Sequence, residues 1–152
     1  MTRPELPADL VALNARLKAD PTLTAGMGPV HMLSVPGRSS GELRSTPVSP
    51  VEFDQRRWIV AGWAQADWVK NLRASGWAVL TKGHRAERIT VSELAADNRA
   101  PILRAFAAER GGMGAFGLSA DASLEQFAAL ADRQPVFEIV TAAPIDASDT
   151  AI

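Results

Sequence analysis

The sequence predicts an α+β fold built on a small, strongly curled antiparallel sheet of barrel-like form, and three observations carry that expectation. Residues 30–35 and 46–53 flank one turn-rich loop, and residues 77–82 and 85–94 flank another at Gly83-His84, so the strands come in hairpins. Helical stripes are inserted between the hairpins and do not alternate strictly with single strands, which argues against a parallel sheet. Pro47 and Pro50 interrupt an otherwise strand-like run, marking an edge or a bulge.

The elements follow in order. Pro7-Ala8-Asp9 precedes Leu10, Leu13 and Leu17, an i, i+3, i+7 stripe that predicts an amphipathic helix over about residues 8–19, ending near Asp20-Pro21. Its polar face is poor in basic residues, which favours packing on the core over a lipid surface. Residues 22–29 read as loop. Residues 30–35 form the first strand and 46–53 its partner, and Arg57–Gly62 forms a third strand whose terminal glycine leaves room for close approach. Residues 66–76 form a short helix with Asp67 as cap, Trp68, Val69 and Leu72 as apolar face, and Gly76 as stop. Two strands, 77–82 and 85–94, follow. In the second, Ile89 and Val91 alternate with Arg88, Thr90 and Ser92. A helix over 97–110 has Asp97 or Asn98 as cap, Pro101 in its first turn and Ile102, Leu103, Phe106 and Ala107 inward. Four glycines between 111 and 117 make either a mobile lid or a plain linker. The last helix, 123–132, turns Leu124, Phe127, Ala128 and Ala131 to one side, and residues 134–140 form the closing strand. The expected layout is an N-terminal helix and linker over 1–29, a barrel domain over 30–142 and a frayed tail over 143–152.

Composition narrows the function. A length of 152 residues suits one domain with a real core, and 47% hydrophobic against 22% charged residues is a globular balance. A formal net charge of -1 gives no electrostatic pull toward nucleic acid. The absence of cysteine removes disulfides, thiolate metal sites and cysteine nucleophiles together, and fits a reducing cytoplasm. Glu5, Asp9 and Lys18 interrupt the N-terminal leucines, so neither a signal peptide nor a membrane span is expected. His31 and His84 stand apart without ligand spacing, so no metal site is expected. There is no Gly-x-Ser-x-Gly elbow, no Walker loop and no Gly-x-Gly-x-x-Gly after a strand. No catalytic nucleophile or general base stands out.

What remains is the loop Gly37-Arg38-Ser39-Ser40-Gly41, with Arg44 where the chain re-enters the sheet. Guanidinium forks, hydroxyls and backbone N–H groups in one loop suit a phosphate or carboxylate, although the same residues also make an ordinary solvated hairpin loop. An anion-gripping loop, several tryptophans and a glycine-rich segment on a small barrel suit a planar, phosphorylated molecule whose own ring does the chemistry.

The run Gly37-Arg38-Ser39-Ser40-Gly41-Glu42-Leu43-Arg44-Ser45-Thr46-Pro47 resembles the Gly-Arg-Lys-Ser-Gly-x-x-Arg-x-x-Pro signature of the deazaflavin-dependent nitroreductase family. Trp68-Val69-Lys70-Asn71-Leu72-Arg73-Ala74 resembles that family's Trp-x-x-Asn-Leu-x-Ala helix, at similar spacing. Asn98-Arg99-Ala100-Pro101 and the strand from Pro135 extend the similarity over about residues 30–142. The resemblance implies a split β-barrel like that of the pyridoxamine-phosphate oxidases, binding the deazaflavin coenzyme F420, with flavin mononucleotide (FMN) as a weaker alternative. It implies that Arg38, Ser39, Ser40 and Arg44 hold the coenzyme's phosphate and neighbouring tail, that Thr46 and Pro47 lie along it, and that Ala61, Gly62, Trp63, Trp68 and Asn71 flank it. Hydride then moves between the deazaflavin and an enone, quinone or nitro-aromatic small molecule, with no protein nucleophile. Pairing into a homodimer through the sheets is a further implication.

Three departures bear on this. Ser39 stands where the family carries lysine, a lost positive charge for which Lys70 or Arg73 is placed to compensate. Residues 61–67 are poorer in glycine than the family's approach to the ring, and Trp63 either stacks on that ring or blocks it. Tyrosine, which nitro-reducing members use near the substrate, is absent. A non-catalytic carrier of a fatty acid, haem-derived pigment or flavin on the same barrel is the alternative function.

Overall fold

A computed structural model describes residues 8–109 and 118–145. Helix α1 (Ala8–Ala19) leads into a 3₁₀ turn, Pro21–Gly26, where a plain loop was expected; Asp20 caps it by accepting the Thr22 N–H at 3.2 Å. Seven strands follow: β1 (His31–Pro36), β2 (Leu43–Val48), β3 (Val51–Phe53), β4 (Arg56–Val60), β5 (Trp77–Lys82), β6 (Arg85–Glu93) and β7 (Val136–Ile145). Helix α2 (Asp67–Ser75) lies between β4 and β5, while α3 (Ala100–Glu109) and α4 (Leu124–Ala128) lie between β6 and β7. The spatial order is β2-β1-β5-β6-β7-β4-β3, every neighbour antiparallel.

The expected strand over 46–53 is two strands, and the split is instructive. β2 and β3 are separated by Ser49 and Pro50 alone, yet they lie at opposite edges of the seven-stranded sheet. Three residue steps, from Val48 to Val51, reach at most about 11 Å. The two edges must therefore come together, and the sheet curls into a barrel. Proline suits this place because neither edge strand needs an N–H there for a central ladder.

Alternation along the strands builds two cores. In β4, Ile59 turns inward with Leu33, Val35, Leu80, Ile89 and Phe137, while Trp58 and Val60 turn outward to meet α3 and α4. Val69 and Leu72 of α2, both fully buried, complete the interior cluster, so α2 stoppers the barrel. Outside, Ile102, Leu103, Phe106 and Ala107 of α3 meet Val51, Trp58 and Val136 as their spacing predicts. α2 ends as expected at Gly76, whose φ of +72° needs a residue without Cβ.

The C-terminal elements differ from expectation in length. The last helix stops at Ala128, and a 3₁₀ turn, Ala131–Arg133, completes the segment; Phe127 and Ala131 are buried but Leu124 and Ala128 are exposed. Ser123 caps α4 in a capping box with Gln126. β7 runs on through Ala143 and Pro144 to Ile145, paired with β6, so residues 143–145 belong to the sheet. The glycine-rich stretch 111–117 and residues 146–152 lie outside the described residues.

Two charged groups tie the shell to the barrel. Lys82 donates from Nζ to the carbonyls of Thr24 at 2.6 Å, Val30 at 2.7 Å and Gly28, closing the segment between α1 and β1 onto β5. Glu93, at the end of β6, accepts the Arg73 Nε and Nη2 of α2 at 2.7 Å each and the Arg99 Nη2 at 3.0 Å. Arg99 is only 7% exposed and also donates to the carbonyls of Leu94 and Ala131. The forked hydrogen bond from Arg73 holds the Glu93 carboxyl below its ordinary value.

Glu93→Gln, which leaves a buried guanidinium facing a neutral acceptor, is expected to cost about 1–3 kcal/mol in urea unfolding. Because the folded state lowers this carboxyl, its stabilisation is complete above the unfolded value of about 4.3 and is lost as pH falls through the lower folded value. The acid limb of a stability–pH curve is therefore shallower in Glu93→Gln than in the parent.

Candidate functional site

The loop between β1 and β2 is closed by its own backbone. Gly37 N donates to Glu42 O at 2.8 Å and Gly41 N to Gly37 O at 2.9 Å, with Gly41 at φ +74°. The Ser40 hydroxyl accepts the Glu42 N–H at 3.2 Å. A Cβ on Gly37 would stand 2.8 Å from Ser40 Oγ and 3.8 Å from Arg44 Nε. Arg44, which pairs with Val35 across the strands, therefore bends back over the start of the loop.

Arg38 is held from the side by α2. Its backbone N–H and its Nη1 both donate to Asn71 Oδ1, at 3.0 and 2.8 Å, and Nη2 lies 3.5 Å from Asp67 Oδ1. Asn71 is buried, while the Arg38 side chain stays 42% exposed. Asp67 and Asn71 are four residues apart and so share one helix face. Asp67 is the helix cap that the sequence predicts. In the fold Ala66 occupies the cap position without a side-chain bond, and Asp67 is the first helical residue, turned toward Arg38. The i, i+4 spacing of the two was the signal that could have revealed the clamp.

The remaining expected residues fall into three groups. Ser39 and Ser40 are exposed on the loop, and Arg44 is exposed in β2. Thr46 and Pro47 are adjacent in β2, opposite Leu33 and Met32 in β1, so they face opposite sides of the sheet. Thr46 shares its side with Arg44; Pro47 does not, because a strand reverses its side chains at every residue. Ala61 is fully buried with its N–H given to Pro135 O at 2.9 Å, so it shapes a wall from behind and offers no contact surface. Gly62 and Trp63 are half-buried where the chain enters α2, and Trp68 leans on Phe137 at 6.5 Å between ring centroids. Both indoles pack on the interior cluster. Of the two cations expected to replace the missing lysine, Arg73 is committed to Glu93. Lys70 is half-buried on α2.

Two hollows lie away from this loop. An open groove of about 560 Å³ runs between the β3–β4 turn and β7, lined by Arg56, Glu138 and Val140 among others. A second, of about 420 Å³, lies beside His31 at the opposite end of β1 from the Gly37 loop. His31 donates its Nδ1–H to Pro29 O at 2.7 Å, and burial lowers its pKa, so it is a strand histidine with a partner. The groups around Arg38 form an exposed, cation-bearing surface.

A family model for F420H(2)-dependent quinone reductases matches residues 11–115, well over half of the chain. The chain belongs to that family. It is accordingly an F420-dependent reductase. No curated protein sequence matches it significantly. Among solved structures it is similar to the F420-H2 dependent reductase FDR-A, at 21% identity over 74% of this chain and 94% of that one, with a TM-score of 0.51. It is equally similar to a structure described as a domain-swapped dimer, at 21% identity over 88% and 99%, with a TM-score of 0.52. A putative pyridoxamine 5'-phosphate oxidase from Listeria innocua aligns at 9% identity over 85% and 98%, with a TM-score of 0.52. The split-barrel fold implied by the sequence motifs is the fold of this chain.

The donor set fits the coenzyme's acidic tail. Arg38 is fixed with its outer face exposed, Arg44 is folded back over Gly37, and Ser39 and Ser40 of the same loop are exposed.

Asn71→Leu leaves the Arg38 N–H and guanidinium without their shared acceptor. It is expected to cost about 1–3 kcal/mol by urea denaturation while leaving the fold's circular-dichroism signature unchanged.

Proposed function

We propose that this reductase delivers hydride from reduced F420 to a quinone or to another small electron-poor acceptor, an enone or a nitro-aromatic. The coenzyme tail lies on the Gly37 loop under this reading, and the single observation that carries it is the Arg38 guanidinium, oriented by buried Asn71 and open to solvent on its other side. Arg38, Arg44 and the hydroxyls of Ser39 and Ser40 bind the anionic groups, while Thr46, Gly62, Trp63 and Trp68 border the path toward the ring. When bound, the reduced deazaflavin supplies the hydride. The chain binds, orients and excludes water.

The residue set also bears on the acceptor. With no tyrosine in the sequence, a proton for the reduced acceptor comes from a hydroxyl, an imidazole, a backbone N–H or water. A quinone, whose reduced oxygens protonate readily from water, asks least of such a site. Nitro reduction asks most. The carrier alternative has no comparable support, since the family is one of reductases.

The Arg38 side chain is 42% exposed and Ser39, Ser40 and Arg44 are exposed with it, so among the described residues this surface is open within one chain. A second copy of the chain, as in the structural relative described as a domain-swapped dimer, is the natural way to wall the ring and the acceptor. Homodimerisation is therefore part of the proposal.

The test is a tryptophan-quenching titration with oxidised F420, run beside FMN. Arg38→Ala is expected to weaken F420 binding by more than about tenfold, the scale of a charge-assisted hydrogen bond of about 1.5 kcal/mol. Its kcat/KM for menadione reduction with reduced F420 falls in parallel. An unchanged F420 affinity in Arg38→Ala overturns the proposed tail site, and tighter binding of FMN than of F420 overturns the cofactor assignment.

A further inference from the structure

We propose that Asp67 and Asn71 work on Arg38 as a positioning clamp with one neutral and one anionic jaw: Asn71 fixes the guanidinium, and Asp67 competes for it with the coenzyme's anionic tail. The inference rests on the reading of Arg38 as the tail's grip, and it deepens that reading by naming what sets the affinity.

The neutral jaw is a matter of geometry and charge together. One amide oxygen takes both the backbone N–H and the Nη1 of the same arginine, at 3.0 and 2.8 Å, from a residue only 4% exposed. Loop and side chain are thereby pinned to α2, which is itself anchored by Val69 and Leu72 in the barrel interior. Because an amide carries no charge, this hold leaves the positive charge of Arg38 undiminished for a ligand. A carboxylate at the same position would hold as well and neutralise it.

The anionic jaw is the loosest ion pair among the described residues. Arg38 and Asp67 stand 3.5 Å apart, whereas the other four pairs lie between 2.7 and 3.0 Å. The Asp67 side chain is 80% exposed, so it loses little hydration when it lets go. It stays tethered to the first turn of α2, within a Debye length of about 10 Å, and continues to repel an anion seated on Arg38. Glu42 adds a second carboxylate to the loop, and Ser39 adds no cation. Removing the Asp67 charge should therefore tighten binding, an effect that a merely structural role cannot produce.

The experiment titrates oxidised F420 into the parent protein and into Arg38→Ala, Asp67→Asn, Asp67→Lys and Asn71→Asp, by tryptophan quenching at low and high salt, with a thermal melt of each. Asp67→Asn is expected to tighten binding about two- to fivefold and Asp67→Lys at least as much, with both gains shrinking at high salt. Asn71→Asp is expected to weaken binding about tenfold, through charge and not through loosening. Should the buried carboxylate prevent folding, the two exposed Asp67 variants decide the matter alone. If they bind F420 like the parent while Arg38→Ala binds weakly, the clamp is wrong and the tail site stands. If Arg38→Ala itself binds like the parent, the tail site fails and the clamp with it.

Discussion

Two residues, Ser49 and Pro50, carry the chain from one edge of a seven-stranded sheet to the other, and the closure they enforce governs the rest of the fold. A sheet so curled has an interior too narrow for a layer of helices, so α3 and α4 pack on the outside and a single short helix, α2, enters the end of the barrel. Both edge strands sit beside this link. Proline, a defect in a central strand, is harmless in that position.

The stopper helix brings scaffold and site together. Val69 and Leu72 anchor it in the interior, and Arg73 fixes its far end to Glu93 and, through that carboxylate, to the buried Arg99. Its opposite face offers Asp67 and Asn71 to the Gly37 loop. The loop alone would hold Arg38 loosely, since an exposed arginine has several rotatable bonds to order. Seating its anchor in a buried helix transfers that ordering to the folding of the barrel, which is how a surface loop acquires preorganised chemistry.

Much of the fold was legible because its signals are local. The i, i+3, i+7 leucines of α1, the alternation of Ile89 and Val91 in β6, the Gly76 stop and the inward face of α3 all depend on residues within two turns or one strand. Where the structure departs from these local signals, the cause is non-local. The run 46–53 looks continuous because its composition is strand-like throughout, and only the sheet order shows that its halves belong to opposite edges. β7 extends beyond the strand that the sequence predicts because Ala142, Ala143 and Pro144 have weak strand propensity, and pairing with β6 overrides it.

The site divides along the same line. The sequence by itself determined the inventory: a Gly-Arg-Ser-Ser-Gly loop, a second arginine six residues on, an asparagine on a tryptophan-bearing helix, and no cysteine or tyrosine to do chemistry of their own. Those are covalent facts, and spacing along the chain was enough to relate them to a family. Tertiary structure alone decided which of them meet. Arg38 and Asn71 are 33 residues apart, Arg73 and Glu93 20 apart, and Thr46 and Pro47 diverge although they are neighbours. Such contacts depend on how the barrel closes, a property of the whole sheet that no local window of sequence contains.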